Sequence, residues 1–148
     1  MSYDLAVFDP REELKSRSAF AAWYDGTEEY GADGSYDDDK QTTPALQRWF
    51  HDMREHFIPR SGPYGPKGLD DAALEAALNR SADYNFGPDL IYVSFLWSQT
   101  EAAYELCFSL AAKHGVGFID ASGDEGAVWF PGMSGSLVKV HVHEASDE

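Results

Sequence analysis

Apolar positions along this chain switch between a short-run pattern and a helical period, and the switches predict its elements. Leu5-Ala-Val-Phe8 is an unbroken apolar run and predicts a first strand. Asp9-Pro10 then signals a helix start. Asp9 suits the cap, Pro10 suits the first turn, and Glu12 supplies the second half of a capping box. That helix is expected to bury Leu14, Phe20, Ala21, Trp23 and Tyr24. Thr43-Pro44 repeats the start signal. Behind it Leu46, Trp49, Phe50, Met53 and Phe57 recur at i, i+3, i+4, i+7 and i+11, the stripe of an amphipathic helix. Pro59, Pro63 and Pro66 break the pattern in a surface loop at about 58–68, and an Ala-rich helix follows over Leu69 to Leu78, started by Asp70 or Asp71.

The second half is patterned more sharply. Asp89-Leu-Ile-Tyr-Val-Ser-Phe-Leu-Trp97 is near-continuously apolar, as a central strand should be. Ser98-Gln-Thr-Glu101 reads as a capping box. Ala103, Leu106, Cys107, Leu110 and Ala111 form one helical stripe after it. Lys113 and His114 stand in the last turn, and Gly115 ends the helix. Val116 to Asp120 predicts a strand, Ser122 to Gly126 a turn, Ala127 to Phe130 a return strand and Leu137 to His143 a last strand. The order is β-α-loop-α-α-β-α-β-β-β. It predicts one α+β domain over residues 1–148, with a mostly antiparallel sheet and helices packed on one face.

No period runs through residues 25–42. Seven acids lie between Asp25 and Lys40 among glycines and tyrosines: Asp25, Glu28, Glu29, Asp33, Asp37, Asp38 and Asp39. Carboxylates this close repel one another, so a cation or a basic partner would offset the cost of ordering them. Tyr30 and Tyr36 stand beside them, as tyrosines do at protein interfaces. Glu28, Glu29, Tyr30, Asp33, Tyr36, Asp37, Asp38 and Asp39 are therefore the candidate partner-binding residues.

The charge of the whole chain strengthens that reading. Its 148 residues carry 26 acids and 11 Lys or Arg, a net charge of −15. Phosphate binding needs clustered Lys and Arg, so direct contact with nucleic acid or an anionic membrane is not expected. A basic protein is the complementary partner. A hydrophobic content of 43% supports a core. The single cysteine, Cys107, allows no internal disulfide. Met1-Ser-Tyr-Asp-Leu5 has no basic region followed by an apolar run, and a cytoplasmic protein is expected.

Candidate chemistry is sparse. His141 and His143 would share one face of a strand, but zinc needs at least a third ligand and no spacing fixes one. The plainer reading places them on the solvent side of an edge strand. Asp120-Ala-Ser-Gly-Asp-Glu-Gly126 has its glycine one position late for an EF-hand loop, and Pro131 where the last ligand should be. Cys107 lies on an apolar stripe and reads as core. No phosphate loop or serine elbow occurs. No cofactor is expected. A small metal-dependent enzyme using His141 and His143 and a ligand-binding α+β domain remain the alternatives.

Met1-Ser-Tyr-Asp-Leu-Ala-Val-Phe8, Ile91-Tyr-Val-Ser-Phe-Leu-Trp-Ser-Gln-Thr-Glu-Ala-Ala-Tyr104 and Ala111-Ala-Lys-His-Gly115 resemble a family of small bacterial proteins. Those proteins are similar to cytosolic immunity partners of polymorphic and secreted toxins. The resemblance covers the first strand and the strand–helix–strand unit, about a third of the chain, and its residues build core and caps. It implies a non-enzymatic immunity protein that occludes a cognate toxin and does not fix the toxin's class; the acidic surface makes a basic nuclease effector the best guess. It carries over no catalytic residue.

Overall fold

The computed structural model describes residues 2–26, 42–59, 65–121, 126–132 and 135–142. Strand β1 (Ser2–Phe8) lies inside a seven-stranded sheet. The other strands are β2 (Ile58–Pro59), β3 (Ser81–Phe86), β4 (Leu90–Leu96), β5 (Gly117–Ile119), β6 (Ala127–Pro131) and β7 (Leu137–Val142). Their order across the sheet is β2-β3-β4-β1-β5-β6-β7. Every pairing is antiparallel except the two-residue contact of β2 with β3. β1 pairs with β4 from Ser2↔Leu96 to Phe8↔Leu90, and with β5 from Ala6 to Phe8.

Alternation along β1 divides the core in two. Tyr3, Leu5 and Val7 join one buried cluster, and Ala6 and Phe8 join the other. Helix α2 (Pro44–Met53) and helix α4 (Thr100–His114) cover the first face. Leu46, Trp49, Phe50 and Met53 of α2 are all buried, so the i, i+3, i+4, i+7 stripe meets the sheet as expected. Each such side chain contributes about 1.5–3 kcal/mol. Phe57, just beyond the helix, is buried with them. Thr43 caps α2, its hydroxyl accepting from Leu46 N at 3.4 Å. Trp49 Nε1 donates to the Cys107 carbonyl at 3.3 Å and ties α2 to α4.

The α+β class and mostly antiparallel sheet match the sequence pattern, while the helices are shared between both faces. A 3-10 turn (Glu12–Lys15) and helix α1 (Arg17–Gly26) bring Leu14, Phe20, Trp23 and Tyr24 onto Phe8, Leu90, Ile119, Val128 and Phe130 of the second face. Phe8 meets Phe20, Trp23 and Phe130 at ring-centroid distances of 5.7, 5.5 and 5.3 Å. The cause is that both alternating sets of β1 are apolar, so each face needs a cover. Helix α3 (Asp71–Asn79), capped by Asp70 Oδ1 accepting from Ala73 N at 2.8 Å, runs directly into β3.

Two start signals act differently from their sequence pattern. Asp9 caps no helix: the first helical turn starts after Arg11, and the Asp9 backbone N–H donates to the Asp89 carbonyl at 2.9 Å. The α-helix begins later, where Ser16 Oγ accepts from Ala19 N at 3.4 Å. Ser98 to Glu101 forms no capping box. Trp97–Gln99 is a 3-10 turn, and Thr100 donates its hydroxyl to the Trp97 carbonyl at 2.6 Å. Gly115 ends α4 at φ 70°, the left-handed conformation its position predicted. Strand β3 was not legible as a strand, although Ala82, Tyr84 and Phe86 alternate with Asp83 and Asn85. Asp and Asn are poor strand formers and mask that alternation.

Gly117 faces Phe8 across the β1–β5 pair, and a Cβ there would lie 2.3 Å from the Phe8 ring. The ring is held by three aromatic neighbours and cannot withdraw. Gly117→Ala is expected to destabilise the fold by about 1–3 kcal/mol. Gly26→Ala, with nothing within 4 Å, serves as the control and should change stability by less than about 0.5 kcal/mol. Urea unfolding of the two variants measures both; equal stabilities would refute the close packing of Phe8 on Gly117.

Candidate functional site

The eight residues singled out for partner binding, Glu28, Glu29, Tyr30, Asp33, Tyr36, Asp37, Asp38 and Asp39, lie outside the described residues. The described ends of that stretch are anchored. Asp25 is exposed near the end of α1, and Thr42 is buried ahead of α2. These ends belong to helices on opposite faces of the sheet. His141 is in β7, in register with Val128, and His143 lies outside the described residues. Among the described residues no group of three or more His, Cys, Asp or Glu side chains is placed to hold a metal ion. The Asp120–Gly126 turn is described only at its ends, where Asp120 N donates to the Ala127 carbonyl at 3.0 Å.

One polar cluster joins the two helices of the first face. His114 Nε2 donates to Asp52 Oδ2 at 2.7 Å, and Lys113 Nζ donates to the same oxygen at 3.1 Å. The bond from His114, then that from Lys113, holds the Asp52 carboxyl below its usual range. A His–Asp pair is half of a nucleophile-activating arrangement. The thiol on the same face of α4, Cys107, stands two helical turns away, about 10 Å along the axis. Cys107 is fully buried, with its sulfur 4.0 Å from that of Met53, and burial pushes its pKa well up. A protonated thiol sealed in the core is no nucleophile. The pair therefore works as a clasp between α2 and α4.

A second feature had no counterpart in the sequence reading. α3 buries none of its residues completely. Asp71, Leu74, Glu75 and Leu78 fall on one side of it, at i, i+3, i+4 and i+7, and face a cleft of about 740 Å³. Pro66 and Leu96 complete its apolar lining. The cleft is open along one side. Leu74 is 38% exposed, and Leu69 just before the helix is 45% exposed. By alternation Leu96 belongs to the second face, at the end of β4 farthest from the Leu90–Phe8 pair that α1 covers. The next row on that face is Asp83, Ser94 and Asp4. Asp4 accepts from the Tyr92 hydroxyl at 3.2 Å, and Asp83 is exposed. The second face is thus apolar and covered at one end, and acidic beside a half-open apolar cleft at the other. The sequence signal was the thin stripe of α3: two leucines among alanines cannot bury a helix deeply.

Comparison with protein-family models, with curated proteins and with solved structures finds no match for this chain. No helix among the described residues is long and apolar enough to cross a membrane.

The clasp has a pH signature. A carboxyl whose folded pKa is depressed stabilises the fold above its unfolded value, and that stability is lost as pH falls through the folded value. Asp52 is 37% exposed, so the contribution is small. Asp52→Asn should cost less than about 1 kcal/mol at neutral pH. The difference from the parent should be smaller at a pH under the usual carboxylate range than at neutral pH. Urea melts of both proteins at the two pH values measure it. A gap that widens in acid would contradict the assignment.

Proposed function

We propose that this chain is an immunity protein that binds a basic toxin, best matched by a nuclease effector, and neutralises it by stoichiometric occlusion. The observation that carries the reading is the distribution of charge. The described residues hold 15 acids and 9 Lys or Arg, an excess of six. The remaining nine net negative charges fall on the other stretches, and six acids against one base fall in residues 27–41. Described residues of moderate charge and, in the sequence, a short, dense run of carboxylates fit a protein that attracts a basic groove. A nuclease must neutralise phosphates with Lys and Arg, so its substrate groove presents that complement. Field complementarity of this kind raises association rates and selects partners. The resemblance to immunity proteins in β1, β4 and α4 supports the same class. The buried thiol and the clasped histidine favour a binding module over a hydrolase.

The direct test is to purify the product of the adjacent reading frame with and without this chain. The reading expects a one-to-one complex by size-exclusion light scattering, and toxin activity that falls in proportion to added chain. No complex and unchanged toxin activity would contradict it. Changing Asp33, Asp37, Asp38 and Asp39 together to Asn should slow association by roughly tenfold at low salt and flatten its salt dependence. Thermal stability should hold or rise, because like-charge repulsion is relieved. Stopped-flow rates at two salt concentrations, beside thermal melts, measure these effects. An unchanged rate and salt slope would place the steering charge elsewhere.

A further inference from the structure

Helix α3 has a packing problem that the rest of the fold does not share. Isolated helices of nine residues are marginal in water, and most helices are held by an apolar face against the core. α3 is held by its Asp70 cap, by four alanines that favour helix, and by the half-buried Ala77 and Leu78. Its outward Leu74 and the wall formed by Pro66 and Leu96 leave apolar surface open to solvent.

The charges around that surface select what covers it. Asp71 and Glu75 flank Leu74 on the helix. Asp83 is exposed on the adjoining row of the sheet, and Asp4 is half-buried there. Arg80, at the end of α3, has its guanidinium over the Phe57 ring of the first-face core at 4.9 Å. Among the described residues two bases adjoin the lining in sequence, exposed Lys67 beside Pro66 and Arg80 beside Asn79, against the acids Asp71 and Glu75 within it. A second copy of this chain would bring the same acidic rim against itself, at a net charge of −15 per copy. A small molecule would need closer enclosure than this open groove provides. An amphipathic segment with Lys or Arg beside apolar residues satisfies both the apolar walls and the rim.

We infer that the α3 cleft seats a positively charged amphipathic segment of a partner protein, its apolar side chains between Leu74, Leu78 and Leu96 and its cations against Asp71, Glu75 and Asp83. The inference deepens the proposed function, since it assumes a basic protein partner, and gives that partner a specific anchor. Residues 27–41 then supply long-range attraction, and α3 supplies the short-range apolar contact that charge alone lacks. Interface energy concentrates in such anchors.

The test uses the full chain, methyl-labelled for NMR, with three probes. They are a short amphipathic peptide of leucine and lysine, its leucine–glutamate counterpart, and the product of the adjacent reading frame. The lysine peptide should shift the methyl signals of Leu74, Leu78 and Leu96 first, and the glutamate peptide should not bind. Leu74→Ser and Glu75→Lys should each weaken binding of the lysine peptide and of the toxin about tenfold. Glu105→Lys, on the exposed side of α4, should change it less than about twofold. Leu74 and Glu75 are exposed, so both variants are expected to fold, and a thermal melt verifies this. Shifts spread evenly over the acidic surface, or equal weakening by Glu105→Lys, would overturn the inference. So would a concentration-dependent dimer abolished by Leu74→Ser. A toxin complex that forms without any footprint on α3 would sink the cleft and leave the proposed function standing. A cleft footprint without a toxin complex would do the reverse.

Discussion

The fold depends on the burial of β1 from both sides. Leu5 and Val7 point into the core under α2 and α4, and Ala6 and Phe8 point into the core under α1. A strand with both faces buried cannot slip by one residue without exchanging the two sets, so its register is tightly specified. Its hydrogen bonds to β4 and β5 transmit that register to most of the sheet. The Phe8 ring lies directly over Gly117. It joins the β1–β5 pair to the aromatic cluster of α1 and leaves no room for a side chain at position 117.

Much of this was legible in the sequence because burial on both faces leaves an unbroken apolar run. Leu5 to Phe8 and Leu90 to Leu96 read as strands for that reason, and Leu46, Trp49, Phe50 and Met53 read as a buried helical stripe. The cap at Asp70 and the left-handed Gly115 follow from local backbone needs, which sequence displays directly. Long-range competition was hidden. Asp9 read as a helix cap, yet its N–H joins the Asp89 carbonyl and the first helical turn begins only after Arg11. Asp89 itself accepts from Trp23 Nε1 at 2.9 Å and pairs with Arg11 at 3.4 Å, a cluster drawn from distant parts of the chain. The cover of the second face by α1 was hidden for the same reason: an apolar helix does not state which side of a sheet it will occupy.

The candidate site divides along the same line. The acidic stretch was visible because charge density is a property of composition. The α3 cleft was invisible because it is made of absences: a helix with too few large apolar residues, beside the end of a strand whose next row turns acidic. α3 contributes little to the core, and that freedom suits a surface fitted to a partner. The residues of β1, β4 and α4 belong to the core and its caps, while α3 sits where substitution costs little stability. The Asp52–His114 clasp and the sealed Cys107 belong to the scaffold side of this division.

The central claim is that a two-faced core holds rigid a frame from which α3 and the acidic stretch meet a basic toxin. Hydrogen–deuterium exchange of the chain, alone and with the product of the adjacent reading frame, tests it most directly. The account predicts added protection in peptides covering 27–41 and 71–79, with the exchange of β1 and β4 unchanged. Protection confined to the exposed side of α4, around Glu101 and Glu105, with both of those segments unaltered, would contradict it.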